Sequence, residues 1–204
     1  MNTRHQLGRL ASGRRPAYLL LVLAVLGSAG CRTAPQQGPQ PATEDEARTL
    51  QDFERRIAAY VAEHKRIEDA LPTVPKEATP EQVDGRQREL GRKLAAARAT
   101  AAQGDLLTPA MQALIRRHFA VVFGGPDGAN IKGSVMDENP TGLRIKVNDR
   151  YPDEVPLSTM PPEVLKILPK MPEELEYRFV GRSLVIVDAH AHLIADLMPD
   201  AIPS

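Results

Sequence analysis

Seven side chains, Leu50, Phe53, Ile57, Tyr60, His64, Ile67 and Leu71, recur at alternating spacings of three and four residues. That period puts them along one stripe of a helix, and a stripe this regular must be buried against a partner. Thr43 opens the helix: its hydroxyl can cap the first turn, and Glu46 three residues later completes a capping box. His64 lies inside the stripe. With no second ligand nearby in sequence, it reads as a packed or hydrogen-bonded core histidine.

Leu71-Pro72 to Ala78 is a proline-bearing link, after which Thr79-Pro80-Glu81-Gln82 repeats the start signal with proline at the first helical position. Val83, Gln87, Leu90, Leu94, Ala97 and Ala101 keep the three-four spacing, so the two helices can form a hairpin, with the alanines allowing close approach near one end. Gly104 ends the second helix. Thr108-Pro109 starts a third, whose face is Met111, Leu114, Ile115, His118, Phe119 and Val122, with Arg116 and Arg117 off it. The run Gly124-Gly125-Pro126-Asp127-Gly128 follows a helix and lacks a phosphate-loop pattern, and is therefore a turn.

Beyond Asn130 the pattern changes. Ile131 to Met136 and Leu143 to Val147 are strand candidates around the turn-rich Asp137 to Gly142, and alternation in the second leaves half of such a sheet wet. Pro161-Pro162-Glu163 starts a short helix stopped by Pro169. Leu175, Tyr177 and Phe179 alternate with Glu176 and Arg178, Gly181-Arg182 turns the chain, and Leu184 to Val187 suits an inner strand. The expected fold is α+β: an N-terminal helical hairpin plus third helix, then a small mainly antiparallel sheet with one short helix. Residues 43–204 read as one domain, helical over 43–123 and sheet-rich over 131–204.

Ahead of this domain, residues 1–16 carry four arginines and no acid and lead into the apolar block Ala17 to Leu26. That block is shorter than the roughly 20 residues of a membrane span, so it reads as a signal. Gly27, Ser28, Ala29 and Gly30 precede Cys31, the single cysteine of the chain. The order resembles the bacterial lipoprotein signal, with Ser28 standing where that family usually has leucine. The resemblance implies cleavage before Cys31, lipid such as palmitate on its sulfur, and attachment to the membrane through that N-terminal lipid. The alternative is an ordinary secretory leader cut near Gly30, which leaves Cys31 a free thiol in a periplasmic or secreted protein. Arg14-Arg15, between Gly13 and Pro16, fits the twin-arginine signal only loosely.

Residues 1–30 thus read as a signal peptide and 31–42 as a lipidated tether; Arg32 to Ala42, rich in proline and glutamine, cannot bury a core. Eleven extended residues reach about 34 Å at about 3.1 Å each. Removing the leader takes four of 26 basic groups and no acid, leaving a formal net charge of −4 that gives no electrostatic reason to seek nucleic acid. A single cysteine precludes an internal disulfide, and the absence of tryptophan implies an aliphatic core.

One stretch carries chemistry. Leu184 to Asp196 reads LVIVDAHAHLIAD; on a continued strand Asp188, His190, His192 and Asp196 share a face, and on a helix Asp188, His192 and Asp196 line up. Either set could hold zinc or a similar divalent ion, with Glu173, Glu174 and Glu176 as further carboxylates. The segment resembles the first barrel strand of the amidohydrolase superfamily, but only Leu193 to Ser204 follow it, too little for that barrel, and the assignment is rejected. PLSTMPP, EELEYRFVGR and DAHAHLIAD together resemble a family of secreted or lipid-anchored bacterial proteins, a resemblance that brings no activity with it. The expected function is a cell-envelope lipoprotein acting as a non-catalytic binding or assembly module for an envelope protein or ligand. The alternative is a metal-dependent hydrolase using Asp188, His190 and His192. Arg32, in place of the aspartate that retains enteric lipoproteins at the inner membrane, favours the outer membrane.

Overall fold

A computed structural model describes residues 43–203 apart from 138, 140, 141, 154 and 156–159. The expected leader, Cys31 and the expected tether lie outside the described residues, which belong to one compact unit, Pro41–Ser204. Among them no helix is long and apolar enough to cross a membrane.

Helices α1 (Glu44–Asp69) and α2 (Pro80–Ala97) both begin with a complete capping box, Thr43 with Glu46 and Thr79 with Gln82. Each box satisfies backbone amides that have no partner within the helix. Thr108 caps α3 (Pro109–Phe123) through the Met111 amide. Then come α4 (Gly128–Met136), the single turn α5 (Pro162–Leu165), and strands β1 (Leu175–Val180), β2 (Ser183–Asp188) and β3 (Leu193–Met198). The strands form an antiparallel meander with β2 in the middle, and a bulge interrupts the β2–β3 register at Ile186/Val187. Gly181, at φ 57, supplies the left-handed residue of the tight β1–β2 turn.

Alternation divides the sheet into two faces. Leu175, Tyr177, Phe179, Leu184 and Ile186 join the main core with Phe53, Ile57 and Tyr60 of α1 and Met111, Leu114, Ile115 and Phe119 of α3. Val180, Val185, Val187, Ile194 and Leu197 form a second cluster with Tyr151 and Val155, on which Ile145 and Val147 pack. The expectation of strands at 131–136 and 143–147 is corrected on both counts. Ile131 and Val135, four apart, sit on one face of α4 and pack into the main core, since a short apolar run does not distinguish helix from strand by itself. The 143–147 segment is irregular, and Ile145 and Val147 pack on the second face of the β1–β3 sheet. Beyond it, Asn148 and Tyr151 donate backbone hydrogen bonds to the carbonyls of Ile194 and His192, and the Asp149 carbonyl accepts from the Ile194 amide along the β3 edge.

The α1–α2 pairing is narrower than the stripes imply. Ile67, Leu71, Leu90 and Leu94 meet around Ala191 of the β2–β3 turn and Leu193 at the start of β3, while Val83 is 53% exposed. Gly91 allows the close approach, since a Cβ there would stand 2.8 Å from the Ala191 carbonyl oxygen. The N-terminal half of α1 packs on α3 and the sheet instead. At Gly128 an added Cβ would fall 2.0 Å from the Phe123 carbonyl oxygen, whereas at Gly85 in α2 it would meet nothing within 4 Å. Gly85→Ala is therefore expected to stabilise the protein by about 0.5–1 kcal/mol, and Gly128→Ala to destabilise it by about 1–3 kcal/mol or more through backbone displacement. Denaturant unfolding of the two variants checks the opposite signs.

Candidate functional site

At the C-terminal end of α1 the apolar stripe turns polar, and its polar members meet the β2–β3 turn. Tyr60, His64 and Glu68 are spaced by four, so they rise along one face of the helix. Asp188, the last residue of β2, follows the parity of Leu184 and Ile186 and faces the same side. Its carboxylate is fully buried and completely engaged: Oδ2 accepts from the Tyr60 hydroxyl at 2.9 Å and lies 2.6 Å from His64 Nδ1, while Oδ1 accepts from the Ala191 amide at 2.8 Å. A buried carboxylate without such partners would cost several kcal/mol, on the order of 3–5 when one partner is removed. Burial first, then the charge and hydrogen bond of Asp188, push the Tyr60 hydroxyl well above the ordinary phenol range, so it remains a donor. Arg98 stacks over the same ring, 4.7 Å from its centroid, and donates to the Ala195 carbonyl.

The other edge of His64 faces solvent-side groups. Nε2 lies 3.0 Å from Glu68 Oε2, and the same oxygen is 3.3 Å from His190 Nδ1. Arg86 of α2 holds the opposite oxygen, Oε1, at 3.2 Å. The His64 and His190 rings meet edge to face with centroids 5.3 Å apart. One donor atom from each of His64, Glu68 and His190 lies within 4.8 Å of the others, and these are the metal-capable groups that converge among the described residues.

The proposed set Asp188, His190, His192 and Asp196 is not brought together. β2 ends at Asp188 and the chain turns over residues 189–192, so strand alternation does not run through the His-Ala-His segment. His192 takes a left-handed φ of 52, and its ring packs on Tyr151 in the second cluster, 5.5 Å between centroids; Nε2 stands 3.8 Å from Asp153. Asp196 is fully buried on β3 and accepts from the amides of Gly104 and Leu197 on Oδ1 and of Leu106 and Leu107 on Oδ2, at 2.7–2.9 Å. Four amide donors leave it a fastening for the loop entering α3. Of the glutamates, Glu174 is buried and paired with Lys65 at 2.8 Å, Glu176 pairs with Arg178, and Glu173 is exposed. The residues that sequence reading passed over are Tyr60, Glu68 and Arg86. The signal was present in the stripe itself: a tyrosine, a histidine and a glutamate at successive i, i+4 positions need polar partners from elsewhere once buried.

No family model, curated protein or solved structure matches the chain. Fold and site together define an α+β domain in which one long helix is joined to a β-hairpin through a buried Tyr–Asp–His relay with a carboxylate and a second imidazole at its mouth.

The charges set a pH window. Burial disfavours the His64 imidazolium, but the hydrogen bonds and charges of Asp188 and Glu68 outweigh it and raise the pKa. Its stabilising contribution is therefore complete below the ordinary value of about 6.5 and is lost as pH rises through the higher folded-state value. Burial also opposes the Glu68 carboxylate, yet hydrogen bonds from His64, Arg86 and His190 hold its pKa low, so its contribution is lost in acid. His192 has the opposite sign from His64: burial, and then Arg150, lower its pKa, so its contribution is lost as pH falls. In chelator-treated His192→Asn protein, which lacks that opposing contribution, the thermal midpoint should fall between about pH 6 and pH 9. A level or rising midpoint contradicts the charged His64. Asp196→Asn should destabilise by about 1–3 kcal/mol, because its amide nitrogen would face backbone donors, and calorimetry reads the loss.

Proposed function

We propose that this protein is a non-catalytic binding or assembly module of the bacterial cell envelope, exported by its leader and held at the membrane by lipid on Cys31. The observation that carries the binding role is an apolar cleft of about 430 Å³ between α1 and the segment that precedes β1. It is lined by buried Phe53 and Ile57, half-buried Val61 and exposed Ala58 and Ala62, with Lys170 and Pro172 across from them. A second cleft of about 550 Å³ shares Lys170 and presents Met160, Leu168, Met171 and Tyr177. Both volumes fall in the range of about 300–1,000 Å³ typical of ligand sites. The first cleft is mostly apolar, with Glu54 and Lys170 as its charged members, which suits an apolar group or the apolar face of an envelope protein. The tether would lift this surface clear of lipid headgroups, and Arg32 favours the outer membrane as its location.

The hydrolase alternative, built on Asp188, His190 and His192, has less support. Asp188 is fully used in holding Tyr60, His64 and the Ala191 amide, and the two imidazoles part company, His190 meeting His64 and His192 meeting Tyr151.

Two measurements test the proposal. Labelled palmitate should enter the wild-type chain and be lost in Cys31→Ser, which should leave the membrane fraction; an unlabelled wild type or an intact cytosolic precursor rejects the anchor. Ala58→Glu with Ala62→Glu puts two charges into the cleft at exposed positions in a residue that helices accept readily. Binding of an environment-sensitive aliphatic dye should drop several-fold at an unchanged melting temperature, and undiminished binding rejects the cleft.

A further inference from the structure

We propose that His64 Nε2, Glu68 Oε2 and His190 form a divalent-cation site of the zinc class, with Asp188 as the positioning residue behind His64. The site shares no residue with the apolar cleft and stands or falls separately from it.

The first argument concerns the tautomer of His64. Asp188 Oδ2 already accepts from Tyr60 and can only accept, so the 2.6 Å contact requires a proton on His64 Nδ1. Nε2 therefore carries either an additional proton or a lone pair aimed at Glu68 and His190. A carboxylate that fixes a histidine by its far nitrogen, leaving the near nitrogen to the metal, is the usual support of metal-binding imidazoles. Here the support is itself held by Tyr60 and the Ala191 amide, so ring orientation is set before any ion arrives.

The second argument is distance. Ligands around tetrahedral zinc at about 2.0–2.1 Å are separated by about 3.3 Å along each edge. Glu68 Oε2 lies 3.3 Å from His190 Nδ1, the needed edge length, and 3.0 Å from His64 Nε2, slightly inside it, while all three ligand atoms lie within 4.8 Å of one another. Arg86 occupies Glu68 Oε1 and directs Oε2 toward both imidazoles. Both ring nitrogens converge on this one oxygen, and a cation would replace the two contacts with ligand bonds. Two imidazoles and one carboxylate suit zinc among the common divalent ions. His190 is 42% and Glu68 24% exposed, so the mouth of the site is open to water, which can complete the coordination.

The test uses the full chain carrying Cys31→Ser, so that the thiol adds no ligand. After loading with zinc and gel filtration, elemental analysis should find about one zinc per chain. Cobalt(II) should give the intense visible absorption of a four-coordinate site. In competition with a chromophoric chelator, His190→Ala and Glu68→Gln should weaken binding at least about tenfold, Asp188→Asn by about 10–100-fold, and His192→Ala not at all. His190 is exposed, so its variant should keep the wild-type circular dichroism and remain informative even if the Asp188 variant loses its fold. Substoichiometric zinc in the parent chain overturns the site. Equal affinities for His190→Ala and His192→Ala overturn it as well, leaving a network of hydrogen bonds only.

Discussion

The structure turns on the carboxylate of Asp188, fully withdrawn from water at the point where α1, the end of β2 and the following turn meet. An ion in that position is tolerable only if its acceptor sites are filled, and Tyr60, His64 and the Ala191 amide fill them. Hydrophobic contacts along α1 would permit the helix to slide or rotate with modest loss. The carboxylate does not, because a shift of one residue takes both the phenol and the imidazole off it. One buried charge thus sets the register of the longest helix against the sheet, and the Glu68–His190 contact follows from that register.

Asp196, on the neighbouring strand, shows that environment decides what a carboxylate does. Both acids are fully buried and both lie on the β2–β3 hairpin. Asp196 is surrounded by backbone amides from the loop that enters α3, so its role is to hold that loop. Asp188 is held by Tyr60, the Ala191 amide and His64, and the other ring nitrogen of His64 meets Glu68, so its effect is relayed to the rim. Glu68 and His190 receive that effect at a partly exposed rim, while the apolar cleft lies elsewhere on α1 and depends on Phe53 and Ile57. The same helix can therefore serve two surfaces without their residues overlapping.

Much of the fold was legible because local signals agreed with it. Thr43, Thr79 and Thr108 mark helix starts, and the alternation in 175–187 separated by Gly181-Arg182 gives the first hairpin. The misreadings came where local pattern is degenerate. Ile131 to Met136 is as compatible with a short helix as with a strand, and packing on the core decided for the helix. Val83 fits the α2 stripe yet is exposed, since the contact between the two helices is made further along α2, by Leu90 and Leu94 against Ile67 and Leu71. In the site, Asp188 and His190 were visible as chemistry-bearing residues, but their partners Tyr60, His64 and Glu68 stand more than a hundred positions away. The place of His64 in the stripe implies a packed or hydrogen-bonded core histidine, and its burial against Asp188 accords with that; its outward nitrogen is the part no spacing rule discloses.

The sequence by itself determined the helical starts, the antiparallel hairpin at Gly181 and the need of a tyrosine and a histidine on a buried stripe for polar partners. These are matters of local propensity and period, which act over a few residues. Tertiary structure alone decided which acid met which base. The His-Ala-His segment ends a strand and turns, so that a left-handed residue at His192 sends one imidazole to Tyr151 while His190 meets His64 and Glu68. Pairings of that kind depend on where separate elements come to rest against one another, and distance along the chain carries no record of it.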